Sequence, residues 1–248
     1  YNPPTPVDSI RIICFLGAGD ALLSTAWVDA LHKLHPGAAI SYITTARLVN
    51  LLETHPAIYR THAVEFTGSM DLTAALESWH LPNQYDMTVM FNQAPLAKCL
   101  LQEAMSTGWH HYDWHGMGTG IRLPREDRHT RLVLTEQDEA YAATIIPVPG
   151  TGTIHVPHPV GCHFVAAWGT HGERSLPVGT IREVVTGLRS LGYTPVILGG
   201  SESSSITGDG VLNLAGTTTY RQTAAVLGRM EAVICVDSVV SHLTATHH

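Results

Sequence analysis

The feature that most constrains this chain is the alternation of short apolar runs with longer stretches of helical periodicity. Residues 10–16 (IRIICFL) read as a buried strand, followed by a Gly-rich turn and a helical pattern over 20–35. Residues 38–43 (AAISYI) are the next expected strand, and 46–53 a helix stopped near His55 and Pro56. Further strands are expected at 63–66 and 86–91, and further helices at 71–79 and 95–105. Strands of this length alternating with helices build βαβ units around a parallel sheet, so the expected class is α/β.

The pattern lapses between 109 and 131, where a His- and Gly-rich piece (HHYDWHGMGTG) gives way to an Arg-rich one. A helix is expected over 135–145, and the Pro/Gly-rich stretch 147–159 (PVPGTGTIHVPHP) reads as a linker. The alternation then restarts: strands at 162–167, 195–198, 211–214 and 232–236, helices at 177–191 and 220–227, and a helix opening at Ser238. The expected domains are therefore 1–150 and 151–248, the second short of strands and expected to be truncated.

Composition excludes several classes. The chain has 248 residues, 44% of them hydrophobic, enough for a substantial core and incompatible with disorder. The net charge is −7, and only Lys33 and Lys98 of the 14 basic residues are lysines, which argues against tracking the phosphates of a nucleic-acid duplex. The four cysteines form no CxxC pair, and Cys14 and Cys235 sit in apolar runs, a pattern that fits a reducing cytosol. No apolar run reaches the roughly 18 residues needed to cross a bilayer.

Four loops at expected strand ends could carry chemistry. Gly17 and Gly19 follow the first strand and allow close backbone approach to a ligand, with Asp20 either capping the helix or acting as a proton acceptor. This is no dinucleotide fingerprint: Leu22 stands where G-x-G-x-x-G needs its last glycine, and Thr44 and Thr45 follow the second strand where a ribose-binding acid would be required. Thr170 and Arg174, after the first strand of the second half, suit a phosphate. Gly199, Gly200 and Glu202 form another backbone-approach loop. Asp237, Ser238 and His242 surround the start of the last helix, where amides and hydroxyls can meet an anion or where Asp or Ser can serve as a plain cap.

Together these stretches resemble the heptosyltransferase-like glycosyltransferases of family 9. The resemblance is carried by AAWGTHGERSLP, TPVILGGSE, VLNLAGTTTYRQTAAVLGRMEAVICVDS and SHLTA in the second half, and by GDALLSTAWVDALHKLHPGAAISYI in the first. It spans most of the chain except about residues 105–160. It implies a GT-B architecture of two Rossmann-like lobes with parallel sheets and a cleft between them, and an inverting transfer of a heptose-like or hexose sugar from a nucleoside-diphosphate donor, ADP-sugar favoured, to an acceptor hydroxyl. On that resemblance Asp20 would be the general base, with Thr170, Arg174, Glu202, Asp237, Ser238 and His242 binding the donor. No cofactor or metal is implied. Val239 departs from the family pattern, which has Gly after the Ser, and Arg174 replaces its usual Lys. A degenerate, non-catalytic binding or structural module is the alternative that Val239 supports.

The remaining signals are weaker. The cluster His110, His111, Asp113 and His115 fits no zinc spacing and reads as a polar loop. Arg122, Arg125, Arg128 and Arg131 could grip an acidic acceptor or form a solvated, ion-paired segment, and Arg122, Arg125 and Arg128 are the acceptor-side candidates. The resemblance implies a glycan, glycolipid or other hydroxyl acceptor and a cytoplasmic protein, peripheral at the inner membrane face.

Overall fold

The computed structural model describes residues 6–65, 85–91, 111–147, 156–165 and 174–247; the helices expected at 71–79 and 95–105 lie outside them. The chain divides into two compact units, Tyr1–Arg131 and Leu132–His248.

The first unit holds a four-stranded sheet of β1 (Ser9–Cys14), β2 (Ala39–Thr45), β3 (Ile58–Val64) and β4 (Met87–Phe91) in the order β3-β2-β1-β4, all parallel. β1 is central, pairing Ile12 with Tyr42 on one side and Val89 on the other. Ile10, Ile12, Ile13 and Cys14 are all fully buried, as a strand covered on both faces demands. Burial also pushes the Cys14 thiol up to about 12, so it packs as an inert small hydrophobe. Asp86 ties the starts of β1 and β4 together: its Oδ2 accepts from the amides of Asp8 and Ser9 and from the Ser9 hydroxyl, at 2.8–3.0 Å. These bonds hold its carboxyl below the usual range.

Helices α1 (Ala18–Leu23), α2 (Thr25–Leu34) and α3 (Ala46–Leu52) follow β1 and β2. The single helix expected over 20–35 is broken at Ser24. Its hydroxyl turns back to the Ala21 carbonyl at 2.7 Å and meets the Tyr42 hydroxyl at 2.5 Å, both buried. Such back-bonding bends a helix. The strand expected at 63–66 lies instead at Ile58–Val64; it is an edge strand with Tyr59 and Arg60 exposed, so it lacks a continuous apolar run. The segment read as aperiodic contains α4 (His111–Thr119), despite Gly116 and Gly118. Tertiary packing forms it: Tyr112 stacks on the fully buried Trp27 at 5.5 Å, and Trp27 Nε1 donates to the Ile121 carbonyl at 2.9 Å.

The second unit repeats the plan. β5 (Pro159–His163), β6 (Thr194–Ile197), β7 (Leu212–Asn213) and β8 (Ala232–Cys235) are parallel in the order β7-β6-β5-β8. Among the described residues four helices accompany them: α5 (Glu136–Ile145), α6 (Val178–Ser190), α7 (Tyr220–Leu227) and α8 (Val239–Ala245). β5 was expected at 162–167 but begins at Pro159, inside the stretch whose prolines and glycines read as linker. Its core of Val160, Cys162, Phe164, Ile181, Val185, Ile197 and Ala215 joins β5, β6 and α6.

The expected boundary after residue 150 and the division of the compact units at 131/132 differ by one helix. α5 packs on α7. There Asp138, 5% exposed, accepts from Arg221 Nε at 3.0 Å while also closing a capping box with Thr135. Burial raises the Asp138 carboxyl, but the Thr135 and Arg221 hydrogen bonds outweigh it and leave it lowered. A second capping box, Thr219 with Gln222, starts α7.

Candidate functional site

In both sheets the chain leaves the first strand in one direction and later returns to its other side. The carboxyl ends of β1 and β4, and of β5 and β8, therefore lie side by side, and it is at such edges that ligands of α/β sheets bind.

In the first unit the turn after β1 delivers Asp20. Gly17 is the N-cap of α1, in extended backbone, and Asp20 occupies the third helical position. Asp20 is therefore not the cap. Its side chain is 20% exposed and its Oδ1 lies 3.3 Å from His115 Nε2. His115, on α4, is 5% exposed and packs edge-on against Trp27 and Phe91, with ring centroids 5.9 and 5.7 Å away. A β-carbon at Gly17 would stand 3.4 Å from Asp20 Oδ2, in ordinary contact. Gly19 is the second residue of the same helix. Of the cluster read as a polar loop, His111, Asp113 and His115 lie on a helix that brings His115 to the carboxylate, and His110 lies outside the described residues; among the described residues no group of three or more metal-ligating side chains forms.

The arginine segment is largely occupied with structure. Arg128 grips both oxygens of Asp113, at 3.2 and 2.5 Å, and donates to the Leu123 carbonyl. Arg131 pairs with Asp29 at 3.1 Å. Arg122 is 87% exposed and lies 3.9 Å from Asp113, and Arg125 is exposed on a short 3₁₀ turn, so these two face solvent.

In the second unit the imidazole of His163, the last residue of β5, is the meeting point. It is 5% exposed; its Nδ1 lies 3.1 Å from Ser238 Oγ. Ser238 is the N-cap of α8 and accepts from the Val240 amide at 3.3 Å. Gly199 packs its α-carbon against the same ring. Its φ is +123°, and a β-carbon would meet His163 Cδ2 at 2.8 Å, so the loop needs glycine on both counts. Burial lowers the His163 pKa, with nearby Glu202 opposing the shift. Glu202 folds over the loop and accepts from the Gly200 amide at 3.1 Å. Asn213 pins that loop, donating to the carbonyls of Ser203, Ser204 and Ile206 and accepting from the Ala215 amide.

Of the expected donor-site residues, Arg174 and Asp237 come together, with Nη1 and Oδ2 3.7 Å apart and both side chains exposed. Ser238, Gly199, Gly200 and Glu202 gather around His163. His242 is half-buried in α8, and Thr170 lies outside the described residues. His163 was not singled out from sequence, and His115 was named only within a cluster read as a polar loop. No spacing marks either one, because each owes its position to a contact between distant segments. For His163, the one available signal was its place at the end of an apolar strand.

Residues 197–248 match the model of glycosyltransferase family 9 (heptosyltransferase). No curated protein sequence matches the chain at a significant level. Among solved structures, a family 9 glycosyl transferase from Veillonella parvula aligns with 98% of this chain and 79% of its own, at 16% identity and TM-score 0.71. The ADP-heptose lipopolysaccharide heptosyltransferase II of E. coli aligns with 96% of this chain and 82% of its own, at 18% identity and TM-score 0.67. E. coli heptosyltransferase WaaC, solved with ADP-2-deoxy-2-fluoro heptose, aligns with 96% and 86%, at 15% identity and TM-score 0.54. The two Rossmann-like units have the fold of the GT-B glycosyltransferases, and residues 197–248 match the model of family 9.

Proposed function

We propose that the protein is an inverting glycosyltransferase that moves a heptose-like or hexose sugar from a nucleoside-diphosphate donor, ADP-sugar favoured, to an acceptor hydroxyl. The observation that carries this reading is Asp20, a partly exposed carboxylate beyond the carboxyl end of the central strand, in a helix that Gly17 caps, and in contact with a buried imidazole. In a single displacement the acceptor O–H gives its proton to Asp20 as its oxygen forms a bond to the anomeric carbon. The bond from that carbon to the diphosphate oxygen breaks, and its electron pair leaves with the nucleoside diphosphate. Base catalysis of this kind supplies about 10²–10⁴-fold.

The second unit would hold the donor. Arg174 offers planar, multidentate donors to the diphosphate and lies beside Asp237, while Thr170, Ser238 and His242 add polar contacts and Glu202 faces the nucleoside or its ribose. A guanidinium and neutral donors can stabilise the departing diphosphate directly. Val239 opens α8 with a β-branched side chain where the family pattern has glycine, which narrows the approach to that edge. Arg122 and Arg125, both exposed, are the acceptor-side candidates with free reach, whereas Arg128 is committed to Asp113.

Thermal shift with ADP-, GDP-, UDP- and dTDP-sugars tests the reading. A ligand at 100 times its dissociation constant adds about 2.7 kcal/mol of stability. The expected result is a rise in melting temperature with one nucleotide class, ADP first. No response to any of them would favour a non-catalytic module.

A further inference from the structure

The reaction assigns Asp20 its proton but says nothing of what keeps that carboxylate aimed. We infer that His115 is a positioning residue for Asp20, holding Oδ1 and so fixing the rotamer of the carboxylate; this rests on the reading of Asp20 as the base. An ionised carboxylate only accepts hydrogen bonds, so His115 Nε2 carries the proton and donates to Asp20 Oδ1, 3.3 Å away. That bond removes the carboxylate's freedom to rotate.

The imidazole is itself immobilised. Its ring is 5% exposed and set edge-on to Trp27 from α2 and Phe91 from β4. Trp27 is locked in turn by the Ile121 carbonyl and by stacking on Tyr112, which lies one turn before His115 on α4. Three separate segments thus converge on a single side chain whose polar end meets the proposed base. A histidine retained only for packing would not need its Nε2 turned to a carboxylate, because Trp27 and Phe91 could be met equally well by an apolar ring. Supporting contacts that fix a reacting group in its productive rotamer are worth large factors in rate, since small misplacements are costly.

The test compares His115→Phe, which keeps the aromatic packing, with His115→Gln, which keeps an N–H near the same place. Transfer is followed as ADP release from ADP-heptose with a panel of sugar-hydroxyl acceptors. Phe should lower kcat about tenfold or more while donor KM stays within about twofold, and Gln should return kcat to within about threefold of the wild type. In an Asp20→Asn background, His115→Phe should cause no further loss, because the two groups act as one unit. Wild-type kcat in His115→Phe, or equal losses in Phe and Gln, would overturn the inference while leaving Asp20 as the base. Full transfer by Asp20→Asn alone would instead remove the reading of Asp20. A substrate-free measurement decides the contact itself: in ¹⁵N-histidine spectra, Asp20→Asn should shift the ring-nitrogen signals of His115, and unmoved signals would overturn the inference.

Discussion

The two units share a strand order, 3-2-1-4 counted within each sheet, and differ in what they place at the carboxyl edge. In the first, a buried imidazole from a late helix supports a carboxylate on the helix after the central strand. In the second, the imidazole belongs to the central strand itself, and a glycine loop and a serine cap close around it. The first edge presents a titratable group, which suits proton transfer. The second presents backbone amides, hydroxyls and an Arg174–Asp237 pair, which suits a diphosphate. On the proposed function one topology would serve two chemistries, and what differs is whether the histidine comes from a helix or from the central strand.

That contrast can be tested by disturbing each edge. The largest stability effect is expected at Asp138, which joins α5 to α7. Asp138→Ala removes the capping box and leaves the 12%-exposed Arg221 guanidinium without this carboxylate, at a cost of about 3–5 kcal/mol in chemical denaturation. A loss under 1 kcal/mol would mean that α5 is not held by this pair. Gly199→Ala comes next, at about 2–4 kcal/mol, because the backbone lies at positive φ and the new methyl meets the His163 ring. It should also weaken ADP binding in calorimetry, while Gly17→Ala, whose methyl meets Asp20 only at contact distance, should leave ADP binding unchanged. Equal effects of the two substitutions on ADP would erase the distinction between the edges.

The smallest effect is a pH dependence in the first unit. Burial lowers the His55 pKa to about 4, against 6.5 in an exposed chain, with Asp29 opposing the shift and Arg131 and His32 adding to it. Below pH 6.5 the unfolded chain binds a proton that the folded one refuses. The stability is therefore full above pH 6.5 and is lost as pH falls toward 4, by about 1 kcal/mol at pH 5.5. His55→Leu should flatten that part of the melting-temperature profile; a profile identical to the wild type would show that His55 does not titrate this way.

The sequence made the frame visible and hid the joints. Runs such as IRIICFL and TPVI announce buried strands because both faces are covered, and the glycine turn before Asp20 marks the first edge. β3 was misplaced because an edge strand carrying Tyr59, Arg60 and His62 has no apolar run to betray it. α4 was unreadable for another reason: its helix is stabilised by Tyr112 and His115 docking on Trp27, which lies 85 residues before Tyr112 in the chain, and no local propensity reports that. The same holds for the two histidines. Asp20, Ser238 and the Gly199 loop could be picked out by their places at strand ends, but His115 and His163 become meaningful only when the folded chain brings partners to them.

The most direct measurement pairs transfer and donor binding in Asp20→Asn. The account predicts that ADP release from ADP-heptose in the presence of an acceptor falls by about 100-fold or more, while ADP binding measured by calorimetry stays within about twofold of the wild type. Transfer that survives the substitution, or ADP affinity that falls in step with it, would contradict the account.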